Sequence, residues 1–272
     1  MTIARAIARI DAILTRADAE FREEDHPRAE DGKFGNKSGG KKAAKPVSAL
    51  SKKINDITFS QRAGGIDHNQ AKKIIGIDAV DMAKAMMAGL PDEEDASLLV
   101  LKLEGDRKGG CLVKAQTDDF VCEREFFIEN GQKVVEHKLF TIADTRQGNG
   151  IAAKCLMESM KAYKKAKIDR VSLFAGMTVG AYAWAKYGFY PDEISWSGVK
   201  RHIRSTLKYY KIEDEMIDKW INDDDPKTIW KIADHPLGKK LLLESSWGGG
   251  MDLNDTHAYA RCMAYCESRI KD

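Results

Sequence analysis

Residues 133–189, KVVEHKLFTIADTRQGNGIAAKCLMESMKAYKKAKIDRVSLFAGMTVGAYAWAKYGF, constrain the fold more than any other part of the chain. The alternating run KVVEHKLFTIAD reads as a strand and is followed by a glycine turn. Good helix formers come next (AAKCLMESMKAYKKAK), then a second strand (RVSLFAG) and a second helix closing at Gly188-Phe189. Gly148 and Gly150 permit close backbone approach, and the free amides of the first helical turn, residues 149–153, point at whatever sits above them. An anion is the natural guest. A Walker loop is disfavoured because no Lys-Ser or Lys-Thr follows the second glycine, and a dinucleotide fingerprint would need GxGxxG rather than GxGIAA.

Upstream, SLLVLKLEG, GCLVKAQTD and DFVCEREFFIE read as strands leading into QKVVEHKLFTIAD, with Asn130-Gly131 as a hairpin turn. Between residues 48 and 90 the signals are helical. Asp67 caps HNQAKKIIG, closed by Gly76, and Asp78 caps AVDMAKAMMAG, closed by Gly89. Antiparallel strands running into a β-α-β unit imply an α/β (α+β) fold, a mixed and mostly antiparallel sheet flanked by helices.

The string FTIADTRQGNGIAAKCL, followed by RVSLFAG and AYAWAKYGF, resembles the GNAT family of acyl-CoA acyltransferases over roughly residues 97–191. Gln147, Gly150 and Ala152 fill its Arg/Gln-x-x-Gly-x-Gly/Ala motif. The resemblance implies acetyl-CoA or another acyl-CoA as ligand. Its pyrophosphate would rest on Gln147, Gly148, Asn149, Gly150, Ile151 and Ala152, and its pantetheine arm would run beside Ile142, Ala143 and Asp144. It also implies a carboxylate base near the middle of the strand, here Glu136. His137 points to the opposite side, and Glu123 with Glu125 on the preceding strand forms a second candidate pair. Where family members carry an Asn and a Tyr acid, this chain has Met177 and Trp184. An indole donates but does not titrate usefully, so Tyr187, one turn away, is the substitute acid. Cys155 reads as a small buried apolar residue. Two functions remain open: acyl-CoA-dependent N-acyl transfer, with acetyl the expected group, and a catalytically inactive phage head-associated or host-targeting binding protein of the same fold.

The flanks complete the organisation. Residues 1–21 place Ile3, Ile7, Ile10 and Leu14 at helical spacing, an amphipathic helix whose interleaved arginines argue against a secretory leader. Residues 22–47 are a flexible charged linker, within which HPRAEDGKFG resembles a segment of tailed-phage head and head-associated proteins. Residues 48–196 form the acyltransferase-like domain and residues 197–272 a helical C-terminal extension. Within the extension, Gly238 marks a break between short helices, and a Trp-Gly-Gly-Gly turn and final helix resemble the tail of some phage head-associated polyproteins. These resemblances imply a phage-encoded protein of the host cytoplasm or the virion, with phage head proteins among its partners.

With 44 basic and 42 acidic residues, net charge gives no case for nucleic acid, although Lys200, Arg201, Arg204, Lys208 and Lys211 with Tyr209 and Tyr210 offer a local patch. A solvated helical face is the commoner meaning of such a run. Five cysteines without a CxxC pair suit a reducing setting, and no metal set is evident; no apolar run is long enough for a bilayer, so membrane partners are not expected.

Overall fold

The computed structural model describes residues 54–59, 66–91, 96–102, 109–176 and 180–270, all within one compact unit spanning residues 50–272. The expected N-terminal helix (1–21) and linker (22–47) lie outside the described residues.

The strands are β1 (Ile54–Phe59), β2 (Ala96–Lys102), β3 (Cys111–Thr117), β4 (Phe120–Glu129), β5 (Gln132–Ile142), β6 (Arg170–Ala175), β7 (Tyr190–Pro191) and β8 (Trp247–Asp252). They form one sheet in the order β1-β2-β3-β4-β5-β6-β8-β7. Among the described residues only β1–β2 and β5–β6 pair in parallel, so the sheet is mixed and mostly antiparallel. The helices are α1 (His68–Ile75), α2 (Ala79–Met86), α3 (Ile151–Lys165), α4 (Gly180–Lys186), α5 (Glu193–Tyr210), α6 (Glu215–Ile221), α7 (Ile229–Asp234), α8 (Gly238–Leu242) and α9 (Thr256–Arg269). Among the described residues no helix is long and apolar enough to cross a membrane.

Period-two alternation explains the layering. Leu98 and Val100, Val113 and Ala115, Phe120, Cys122 and Phe126, Val135, Val171, Leu173 and Ala175 are buried on one face. Helices α1 and α2 pack against strands of this sheet, α2 also packs on α3, and α9 lies on α3. The β4–β5 hairpin turns at Asn130 (φ 51°) and Gly131 (φ 79°), the left-handed pair that matches strand twist. Asp67 and Gln70 form a reciprocal capping box for α1, Gly76 ends it, and Asp78 caps α2.

The expectations needed correction at several points. Residues 54–59, in a region read as helical, form β1 beside β2; ITF is a β-branched and aromatic run. Helix α2 ends at Met86 with Met87 as its C-cap, not at Gly89. Gly89 instead lets the chain press on the start of α3, where a Cβ would lie 2.3 Å from the Ile151 carbonyl oxygen. Gly238 does stand at a break between short helices, as the first residue of α8 after α7 ends at Asp234, and a Cβ there would meet the Ile232 carbonyl oxygen at 2.1 Å. The C-terminal segment is not purely helical: the Trp-Gly-Gly-Gly run is β8, inserted between β6 and β7. Side chains are excluded there because a Cβ on Gly249 would sit 2.2 Å from the Tyr190 carbonyl oxygen, and one on Gly250 would sit 2.0 Å from that of Val171. Residues beyond 196 therefore complete the sheet.

Candidate functional site

Strand β5 pairs with β4 along its whole length, from Gln132 to Ile142. Its parallel ladder to β6 is shorter, running only from Val134–Arg170 to His137–Leu173. The cause lies one residue further on. Arg124 opposes His137 but Glu123 opposes Leu139, so Lys138 is an extra residue in β5. Such a bulge bends its strand, increases local twist and ends pairing. Strand β6 meanwhile continues along β8 through Phe174–Gly248 and Ala175–Trp247. The two parallel strands therefore part after His137 and Leu173, and residues 138–142 carry no ladder to β6. Leu139 and Phe174, 36% and 68% exposed, flank this opening on the face away from the helices.

Beyond the opening lies the glycine turn. A 3₁₀ turn, Asp144–Arg146, follows β5, and Ala143 N–H donates to Asp119 O (2.9 Å) while Arg146 Nε pairs with Asp119 Oδ2 (3.2 Å). Gln147 folds back, its Nε2 donating to Ile142 O (3.1 Å) and Asp144 Oδ1 (2.9 Å), so its side chain braces the turn. Gly148 (φ 81°) and Gly150 (φ 72°) are both left-handed. Gly150 is the N-cap of α3 and supplies no side-chain hydrogen bond; Lys154 N–H bonds back to Gly150 O at 3.0 Å. The N–H groups of Ile151, Ala152 and Ala153 thus carry the positive end of a fifteen-residue helix with no capping side chain.

Beneath the point of divergence is a buried polar trio. Arg124, His137 and Tyr163 are 2%, 7% and 0% exposed. Arg124 Nη1 donates to Glu123 O and Leu139 O, both at 2.9 Å, bracing the carbonyls on either side of the bulge. Its Nε donates to Tyr163 Oη (3.3 Å), and Tyr163 Oη lies 3.1 Å from His137 Nε2. The imidazole is enclosed by aromatic rings, with Trp184 at 5.6 Å, Tyr163 at 5.8 Å and Phe189 at 6.0 Å between centroids. Its Nδ1 is buried with no hydrogen-bond partner among the described residues. Leaving such a group unpaired costs about 1–3 kcal/mol. Burial, and then the charge of Arg124, holds His137 well below the usual imidazole range, so it is neutral. Burial pushes the Tyr163 phenol up to about 12 against the opposing pull of Arg124.

Sequence reasoning missed Arg124 and Tyr163. The signal for Arg124 was present: in DFVCEREFFIE it alternates with Cys122 and Phe126, a charge at an inward position.

The structure does not unite the expected acid and base. Glu136 opposes Glu125 and Ser172 on the face away from the helices, where Lys138 Nζ lies 3.1 Å from its carboxylate. Tyr187 is in the helical layer, its ring 4.8 Å from that of Tyr265 on α9, and burial raises its phenol further above the ordinary range. They lie on opposite sides of the sheet and cannot act as a pair on one reacting centre. Glu123 pairs with Lys114 at 3.1 Å. Cys155 is buried, its Sγ accepting the Gly89 N–H at 3.3 Å. Met177 lies outside the described residues. Within the basic patch, Lys200 bonds Asp223 O and Asp224, and Arg204 bonds Ile221 O and Asn222 Oδ1, so both hold the C-terminal end of α6 and the turn after it.

Comparison with models of known protein families found no match, and comparison with curated proteins found none either.

Proposed function

We propose that the chain binds an acyl-CoA, acetyl-CoA being the simplest, and transfers the acyl group to an amine. The observation that carries this is the parting of two parallel strands at His137–Leu173 beside an uncapped helix N-terminus. An extended polyamide arm can hydrogen-bond to strand backbone freed of its ladder, as an added strand does. A pyrophosphate suits the amides of Ile151, Ala152 and Ala153, with Gly148 adding no side chain to the approach; at Gly150 the place of a Cβ is taken by the end of α9, 2.7 Å from the Arg269 carbonyl oxygen. Ile142, Ala143, Asp144, Gln147 and Asn149 line the path between these two places, Gln147 as a brace of the turn.

Amine attack on a thioester forms a C–N bond, breaks the C–S bond, takes a proton off the amine and returns one to the thiolate. Glu136, on the open face at the level of the divergence, is the base this scheme uses, with Lys138 as its partner. The acid is the weaker half. Trp184 stands where the GNAT resemblance expects a phenol, and Tyr187 is turned toward α9. These two observations favour a second reading, a protein that binds acyl-CoA or a phage partner through this fold without chemistry, in the virion or the host cytoplasm.

Isothermal titration of the full chain with acetyl-CoA tests the proposal. Binding in the micromolar range that is lost in Gly148→Val is expected; no heat at millimolar ligand overturns it. Acetyl-CoA binding without CoA release across a panel of amines would decide for the second reading.

A further inference from the structure

Helix α5 carries Lys200, Arg201, Arg204 and Lys208, ends in a C-cap at Lys211, and has Glu193, in its first turn, as its only acidic residue. The structure divides these cations by task. Lys200 and Arg204 are spent on the carbonyls and side chains of residues 221–224. Trp196, Val199, Ile203 and Leu207 form the buried side of the helix. On the opposite side Arg201, Ser205, Lys208 and Tyr209 are exposed, as is Lys211. A helix C-terminus attracts cations, which accounts for Lys208 and Lys211 alone. It does not account for Arg201, about 10 Å back along the same face, nor for what α8 adds.

Lys240 comes from that separate helix, and its Nζ sits 3.6 Å from the centre of the Tyr210 ring. Tyr210 in turn meets Tyr209 edge-on at 4.9 Å, and Tyr209 is 57% exposed. Two helices thus set Lys208, Lys211 and Lys240 around a pair of tyrosines, one of them open to solvent. None of Arg201, Lys208, Lys211 and Lys240 has a carboxylate partner among the described residues. A solvated helical face explains cations on one helix; it does not explain a lysine from another element meeting them at an aromatic pair.

We propose that this face binds single-stranded nucleic acid, with Arg201, Lys208, Lys211 and Lys240 taking backbone phosphates and Tyr209 stacking on a base. The charges fit phosphates, and every unpaired base has a π-face for an open tyrosine ring. An acidic polypeptide would satisfy the cations but leave that ring without a use, and a duplex keeps its base faces stacked inside. Lys240, seated over the face of Tyr210, holds the ring against which Tyr209 rests. The surface uses none of the residues assigned to acyl-CoA, so it stands or falls separately from that proposal.

Fluorescence anisotropy of labelled oligothymidine titrated with the full chain tests the inference. Binding at about 50 mM salt is expected to weaken with a log–log salt slope of about −3, since each of the phosphates neutralised by these cations contributes about 0.7. Replacing Lys208 and Lys211 together by Gln should roughly halve that slope. Tyr209→Ala should weaken binding by about ten-fold at an unchanged slope, as loss of one stacked base does. Lys72→Gln with Lys73→Gln, on the exposed side of α1, should change neither affinity nor slope. No binding at low salt overturns the inference, as does a Lys208/Lys211 variant that keeps the wild-type slope or a Tyr209→Ala variant of wild-type affinity. Polyglutamate competing as well as unlabelled oligothymidine would assign the face to an acidic polypeptide instead and also overturn it.

Discussion

Arg124 donates through Nη1 to the carbonyl oxygen of Leu139 at 2.9 Å, tying β4 to β5 just past the bulge at Lys138. The same nitrogen bonds Glu123 O, and Nε reaches Tyr163. The planar guanidinium serves all three acceptors because its donors are fixed in a fork. Arg124→Met should destabilise the protein by about 3 kcal/mol in urea unfolding, since two carbonyls and a phenol lose their partner in a buried place. Arg124→Lys should recover little of that loss, because a lysine cannot reproduce the fork. A lysine variant of wild-type stability would show that the charge, not the geometry, matters.

The neutral state of His137 gives a pH signature. Burial, and then the charge of Arg124, holds the folded imidazole well below its ordinary range, so in the unfolded chain this residue takes up a proton at a higher pH than in the folded chain. Below about pH 6.5 the unfolded state binds more protons, and stability falls as pH falls; above it the contribution is constant. The expected slope between pH 6 and 5 approaches about 1.4 kcal/mol per pH unit from this residue. It should vanish from the difference between wild type and His137→Gln only above pH 7. Parallel curves for the two proteins down to pH 5 would contradict the assignment.

Two glycines should respond in opposite senses. Gly250→Ala forces a Cβ to 2.0 Å from the Val171 carbonyl oxygen, and backbone must move. A loss of about 3 kcal/mol is expected, with β8 and β7 loosened from the sheet. Gly198, inside α5, has open space around its absent Cβ. Gly198→Ala should stabilise by about 0.5–1 kcal/mol through helix propensity. Thermal melts of the two variants check both signs.

Tyr187→Phe separates packing from catalysis. The ring contacts with Tyr265 and Trp184 survive the change, and the hydroxyl is remote from the open-face Glu136. Acetyl-CoA affinity and any rate of acyl transfer should stay within about two-fold of wild type, as for a non-participating hydroxyl. A loss of 100-fold in rate at unchanged affinity would restore Tyr187 as the acid.

Much of this architecture was legible in the residues. Alternation placed β2 to β6, Asn130-Gly131 placed the hairpin, and Asp67 and Asp78 placed two helix starts, because these signals are local. The glycine turn was legible for the same reason: it stands between β5 and α3 where Gly148 and Gly150 suggested it, and both residues are left-handed. What was hidden depended on pairing between distant segments. A Gly-Gly-Gly run reads as a turn until β6 and β7 are found closing on it. The bulge at Lys138 is a mismatch of register between β4 and β5, invisible in either strand alone. Glu136 was preferred to His137 by family resemblance, while the burial of His137 between Tyr163 and Trp184 is a tertiary fact that single-strand alternation leaves undecided.

The central claim is that the parted strands and the α3 N-terminus together receive one extended ligand. Amide hydrogen exchange of the full chain with and without CoA measures it most directly. Protection on CoA addition is predicted at residues 138–142 and 151–153 together, with β2 and β3 unchanged. Exchange that is identical with and without millimolar CoA, or protection confined to a different part of the sheet, would contradict it.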